Sequence, residues 1–142
     1  MTRSDPNLAR HINPELHHVA VVVADLDEAL ARYRALGFSG GERFVLAEQA
    51  VEVATLRSGP GWIELIRPTD PDGPIARYLA KRGEGVHHVA YAVPDLIAAL
   101  NDLDAAGIRL IDTAPRVGAH GWRIAFVHPE SCAGVLTELV QE

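Results

Sequence analysis

Two histidine pairs stand seventy residues apart in this 142-residue chain, His17–His18 in "LHHVAVVVADL" and His87–His88 in "VHHVAYAVPDL". A duplicated core strand has no need of histidine, so the repeated pair points to chemistry. Imidazole nitrogen is a ligand for borderline divalent cations. Two carboxylates recur with similar regularity, Glu64 inside "WIELIR" and Glu138 inside "GVLTELV". A carboxylate in an apolar strand is costly to bury unless it is paired or bound to a metal. Two imidazoles and two carboxylates around one divalent cation would satisfy all four, so His18, Glu64, His88 and Glu138 form the candidate ligand set. Each alone has a plainer reading, as a satisfied strand histidine or a solvated glutamate, and the twofold repetition favours the joint one.

The elements that must position these groups repeat as well. At an offset of seventy, residues 16–38 and 86–108 share both histidines, Val19/Val89, Ala20/Ala90, Val23/Val93, Asp25/Asp95, Leu26/Leu96, Ala29/Ala99, Leu30/Leu100, Ala35/Ala105 and Gly37/Gly107. This is an internal repeat. Each copy begins with a β-branched apolar run and continues with an Asp where a helix N-cap belongs. Asp25 has Glu28 three positions on, the capping-box spacing. Leu26, Ala29, Leu30 and Tyr33 then fall on one helical face, and Gly37 suits a left-handed helix end.

After each helix the pattern predicts strands at "ERFVLA" (42–47), "VEVATLR" (51–57) and "WIELIR" (62–67), then at "RLID" (109–112), "RIAFV" (123–127) and "GVLTELV" (134–140). The class is α+β, with two tandem βαβββ units. Residues 1–14 read as a flexible N-terminal tail and 15–142 as a single domain: unit one over 15–69, a linker helix within 70–84, and unit two over 85–142. The linker helix is expected from about Pro74 to Arg82, with Gly83 stopping it. The period of two along a strand then sets the faces. Val19, Val21 and Val23 suit the side packed on a helix, so His18 and, by the same argument, His88 face away from it, as do Glu64 and Glu138.

Composition narrows the classes of function. The chain is 48% apolar, enough for a core, and its net charge of −6 has no basic block, which argues against nucleic acid. No apolar run is long enough to span a membrane, and the start lacks the apolar stretch of a secretory signal, so a cytoplasmic protein is expected. The single cysteine, Cys132, permits neither an intrachain disulfide nor a cysteine-rich zinc site. A small-molecule role is left by elimination.

The paired units with strand-borne His and Glu resemble the vicinal oxygen chelate superfamily, which includes glyoxalases and bleomycin-resistance proteins, and within it the methylmalonyl-CoA epimerases. The resemblance covers about residues 15–141. "IELIRPTDPDGPIARYLAKRGEGVHHVAY" and "GAHGWRIAFVHPESCAGVLTEL" are its specific stretches, while the opening "LHHVAVVVADLDEALARY" is similar to many superfamily members. It implies one cupped mixed sheet around a metal site, with His18, Glu64, His88 and Glu138 as ligands to one divalent ion (Co, Mn, Ni, Zn or Mg). It also implies an acyl-CoA substrate and a homodimer.

Epimerisation at C2 of a 2-carboxyacyl-CoA fits such a site, because a cation stabilises an enolate on deprotonation. Inversion calls for two acid/base groups. The resemblance suggests Glu138 as one. Some relatives carry an inward carboxylate in the strand after "EQG", where this chain has Val53 with Glu52 turned the other way, so Glu48 and His120 are the candidates for the missing base. Further departures are Trp122 after "GAHG", and Glu130 and Ser131 in "HPES" where the family commonly reads "HPKD". Two alternatives stay open: a related metal enzyme on a non-CoA substrate, such as a glyoxalase-type isomerase or a tailoring enzyme, and a metal-free protein that binds small molecules or drugs. A ring-cleaving dioxygenase, with two His and one Glu, is disfavoured by Glu64 as a fourth ligand.

Overall fold

A computed structural model describes residues 12–142. The expected tail over residues 1–14 lies, up to residue 11, outside the described residues. The chain runs β1 (Glu15–Val22), α1 (Leu26–Ala35), β2 (Ser39–Leu46), β3 (Val51–Ser58), β4 (Gly61–Pro68), α2 (Pro74–Arg82), β5 (Gly85–Ala92), α3 (Leu96–Ala105), β6 (Arg116–Val117), β7 (Arg123–Val127) and β8 (Thr137–Gln141). Packing divides it into two compact units. One runs from His18 to His88, and the other from Val89 to Glu142 together with residues 12–17.

The duplication read from the sequence is present in the ladders. Strands follow the order β2-β3-β4-β1 in the first copy and β6-β7-β8-β5 in the second. In each, the first strand of the copy pairs in parallel with the last, and the remaining pairs are antiparallel. The sheet is therefore mixed, because a helix returns the chain for each parallel pair. Asp25 accepts from the Glu28 amide at 3.0 Å and Asp95 from the Ala98 amide at 3.0 Å, so both helices start where their caps predict. Gly37 and Gly107 end them in the left-handed region.

Each helix seals one face of its own strands. Leu26, Ala29 and Leu30 of α1 pack with Val23, Ala54, Leu56 and Leu65, while Leu96, Ala99 and Leu100 of α3 pack with Val93, Ala125, Val127 and Leu139. The linker helix α2 has the expected bounds, with Pro74 in its first turn and Gly83 at its end, whose amide donates to Leu79 O at 2.8 Å.

Three strand expectations need correction. "RLID" is not a strand: Leu110 makes one isolated bridge to Val127, and the Asp112 carboxylate takes the Phe126 amide at 2.9 Å. A side chain has occupied a donor that a ladder would have used. The strand of this copy is instead the two-residue β6. β2 starts at Ser39 rather than Glu42, because Gly40 and Gly41 at positive φ absorb a register shift before Glu42. β8 starts at Thr137 rather than Gly134, since Ala133 and Gly134 are both left-handed and the Gly134 amide still bonds back to Pro129 O.

Candidate metal centre

Register fixes the faces of the first unit. Glu64 lies opposite Ala20 across the parallel β1–β4 pair and opposite Thr55 across the antiparallel β3–β4 pair. Residues in register share a side, and alternation adds His18 and Val53 to it. Leu65, Ala54 and Leu56 point the other way, into the α1 core. His18 and Glu64 thus stand on the helix-free face among Ala20, Val22, Val53 and Ile66, all of them buried.

On that face the structure gathers three of the four candidate ligands. His18 Nε2 is 3.4 Å from His88 Nε2 and 3.4 Å from Glu64 Oε2. One ligand atom from each residue lies within 4.8 Å of the others. His18 and His88 are each 2% exposed and Glu64 is 8% exposed, so these polar groups have been taken out of water. Two imidazole nitrogens and a carboxylate oxygen turned on one point, without thiolate, fit a borderline or hard divalent ion. Burial pushes His88 down to about 4 against the pull of the Glu64 carboxylate. A neutral imidazole is the form that can ligate.

Glu138 lies in the other unit, and its register repeats that of Glu64. It stands opposite Ala90 across the parallel β5–β8 pair and opposite Phe126 on β7, away from the Leu139 and Ala125 side that packs on α3. It is 3% exposed. Burial pushes its carboxyl up to about 8; Arg116 opposes the shift and Asp112 adds to it. Arg116 and Asp112 are themselves paired at 3.0 Å.

The acid/base candidates stand outside the three-residue group. Glu48 is exposed on a 3-10 turn, Ala47–Gln49, between β2 and β3. The turn is fixed by a left-handed Ala50, whose amide donates to Ala47 O and whose carbonyl accepts from the Thr69 amide. His120, in the second unit, has φ 56°, unusual without glycine, and its ring lies on Trp122 with 4.6 Å between centroids. Trp122 also packs perpendicular to the His17 ring, with centroids 4.5 Å apart, so this departure from the family pattern is a buried residue in contact with two imidazoles. Val53 is inward and apolar, while Glu52 faces the other way and pairs with Arg67 at 3.1 Å.

Two features escaped the sequence reading. Arg109 pairs with Glu130 at 2.5 Å, so the "HPES" loop keeps a guanidinium beside the glutamate that stands in the lysine's place. The second is His87, whose Nδ1 lies 2.8 Å from His88 Nδ1. The repeated "HH" was the signal available for it, but parity aims neighbouring strand residues apart and hid their contact.

The shifted groups give a sign pattern for the metal-free protein. His87 and His88 are both held near 4, His87 by burial and then by the neighbouring His88. The unfolded chain protonates them near the ordinary 6.5, so it binds more protons in that window and stability falls as pH drops through it. Glu138 runs the opposite way. Its folded carboxyl keeps a proton to about 8 while the unfolded one loses it near 4.5, so its contribution is lost as pH rises. Chelator-stripped protein is expected to melt highest near pH 6.5 and lower at pH 4.5 and pH 8, with Glu138→Gln flattening the alkaline side. A melting temperature that climbs steadily from pH 6.5 to 8 would contradict the pattern.

Comparison with known proteins agrees with this architecture. The sequence model of the glyoxalase/bleomycin resistance protein/dioxygenase superfamily matches residues 17–126. The chain is 41% identical over 128 residues to the mitochondrial methylmalonyl-CoA epimerase of Bos taurus, covering 89% of this chain and 73% of that protein. It is 39% identical over 129 residues to the ethylmalonyl-CoA/methylmalonyl-CoA epimerase of Cereibacter sphaeroides, covering 89% and 96%. Its structure matches a variant of the Streptomyces coelicolor methylmalonyl-CoA epimerase in complex with 2-nitronate-propionyl-CoA. That match has a TM-score of 0.84 and 39% identity, over 90% of this chain and 94% of that one. With its tandem βαβββ copies, mixed sheet and buried His–Glu–His group, the chain belongs to the vicinal oxygen chelate (glyoxalase/bleomycin resistance protein/dioxygenase) superfamily and, within it, to the methylmalonyl-CoA epimerases.

Proposed function

We propose that the protein is a divalent-metal-dependent epimerase acting at C2 of a 2-carboxyacyl-CoA thioester such as methylmalonyl-CoA. The observation that carries this reading is the buried His18, Glu64 and His88 group, in a chain 41% identical to an epimerase. These three residues, with Glu138 as the fourth, would hold one ion of Co, Mn, Ni, Zn or Mg. A bound cation supplies the charge that lowers the cost of an enolate on the substrate.

The remaining work falls to the chain's own side chains. Ala20, Val22, Val53 and Ile66, buried on the ligand face, keep water away from the reacting carbon and so strengthen each charge interaction there. Inversion requires one group to take the C2 proton and another to return it on the opposite face. Glu48 and Glu138 are assigned these roles, with His120 the alternative to Glu48. Val53 lends no carboxylate to the site, which leaves Glu48 as the acid/base group of the first unit.

The substrate partner is then an acyl-CoA. A second copy of the chain is the protein partner, as a homodimer, and the setting is cytoplasmic. Incubating protein loaded with Co or Mn with a single epimer of methylmalonyl-CoA should yield the other epimer until the two are equal, and ethylmalonyl-CoA tested beside it measures the room left by Ala50 and Val53. Failure of both esters, with turnover of a non-CoA carbonyl compound, would overturn this reading.

A further inference from the structure

We propose that His87 is a positioning residue that sets the ligating tautomer of His88. The assignment rests on the reading of His18, Glu64 and His88 as a metal group. The two Nδ1 atoms are 2.8 Å apart, a hydrogen bond that holds a single proton between two nitrogens. A neutral imidazole has one N–H and one lone pair, so the bond has two forms. In the first, His87 donates, and His88 must carry its own proton on Nε2. That N–H then points toward His18 Nε2, 3.4 Å away, and no lone pair of His88 faces the group. In the second, His88 Nδ1–H donates to His87 Nδ1, and His88 Nε2 presents its lone pair. Only the second form ligates through Nε2. His87, accepting at Nδ1 with its proton on Nε2, holds His88 in it. Passing from the first form to the second moves the shared proton from His87 to His88, while His88 Nε2 releases one proton and His87 Nε2 gains one, so both rings stay neutral.

The His87 ring is held in place for this. Tyr78 of α2 meets it edge-on, with centroids 4.8 Å apart and planes at 81°, and the Tyr78 hydroxyl donates to Val86 O at 3.0 Å. Arg82 lies over the other ring of this contact, 5.5 Å from the centroid of Tyr78. A chain of contacts thus runs from the linker helix through Tyr78 and His87 to the buried nitrogen of His88. In the first copy the equivalent His17 is engaged elsewhere, with Glu142 at 3.3 Å and with Trp122. The duplicated pair has diverged: the second copy uses its first histidine to support its second. Partners that orient a metal-ligating histidine through its other nitrogen typically contribute about 10 to 100-fold in metal affinity.

The test compares zinc affinity, by competition with a chelating indicator, in the full-length wild type, His87→Phe and His87→Asn. Imidazole nitrogen NMR is recorded on the zinc-loaded wild type. His87→Phe, which keeps the ring volume and loses the acceptor, should bind zinc about 10 to 100-fold more weakly. His87→Asn, whose carbonyl oxygen takes the place of Nδ1, should recover most of that loss. The NMR should place the His88 proton on Nδ1, coupled to a nitrogen of His87. Unchanged affinity in a folded His87→Phe protein, or a His88 proton on Nε2 in the loaded wild type, overturns the assignment. Should His87→Phe not fold, His87→Asn and the NMR decide it. Wild type that takes up no zinc, cobalt or manganese overturns the metal reading and this assignment together, whereas normal uptake with an indifferent His87 overturns this assignment alone.

Discussion

His88→Ala is expected to weaken binding of zinc or cobalt by more than about 100-fold and to remove epimerase activity with it. The size follows from a comparison, since outer partners of ligating histidines are already worth roughly 10 to 100-fold. His88 Nε2 is one of three converging donors, and its loss leaves two in a buried site. Elemental analysis should give about one divalent ion per chain for the wild type and little for the variant. Circular dichroism should show both folded, because His88 is turned away from the helix-packed cores. Undiminished affinity in His88→Ala would remove His88 from the ligand set.

The second large effect separates ligand from acid/base roles. Glu138→Gln is expected to abolish inversion, whether its carboxylate holds the ion, moves the proton or does both. Glu48→Gln is expected to lower kcat by about 10² to 10⁴, the usual worth of a positioned acid/base group, with metal affinity unchanged. The expectation of unchanged affinity follows from its place on the exposed turn before β3, outside the three-residue group. Wild-type kcat in Glu48→Gln would transfer its role to His120, and His120→Ala would then carry the loss. Weakened metal binding in Glu48→Gln would contradict the division of roles.

Much of the fold around the candidate site was legible because it is written in local periodicities. The Asp25 and Asp95 caps, the bounds of α2 and the face of His18 and Glu64 follow from spacing along one element, and the duplication supplied the caps and the strand faces twice. What was not legible depends on contacts between residues distant in sequence or on competition for a backbone donor. Asp112 capturing the Phe126 amide turned an expected strand into an irregular segment. Arg109 standing beside Glu130 altered the charge of a loop twenty residues away. Trp122 read as a simple departure, and its contacts with His17 and His120 emerge only in the fold. Parity placed His87 correctly on the opposite side from His88, yet a ring nitrogen reaches around the backbone to its neighbour, which a two-residue period does not register. Glu48 carries no pattern at all, because a turn has no periodicity to mark which way its side chain points.

The most direct test of the central claim is hydrogen exchange at C2. A single epimer of methylmalonyl-CoA is incubated with the metal-loaded protein in deuterated water, and the recovered ester is analysed for deuterium and for configuration. One deuterium at C2 together with both epimers is the predicted result, and His88→Ala should give neither. Deuterium gained with little inversion would mean that one face lacks its acid/base group, as Val53 in place of a carboxylate would cause, and would still establish proton abstraction at C2. Ester recovered as the starting epimer, without deuterium above the buffer rate, would contradict the account.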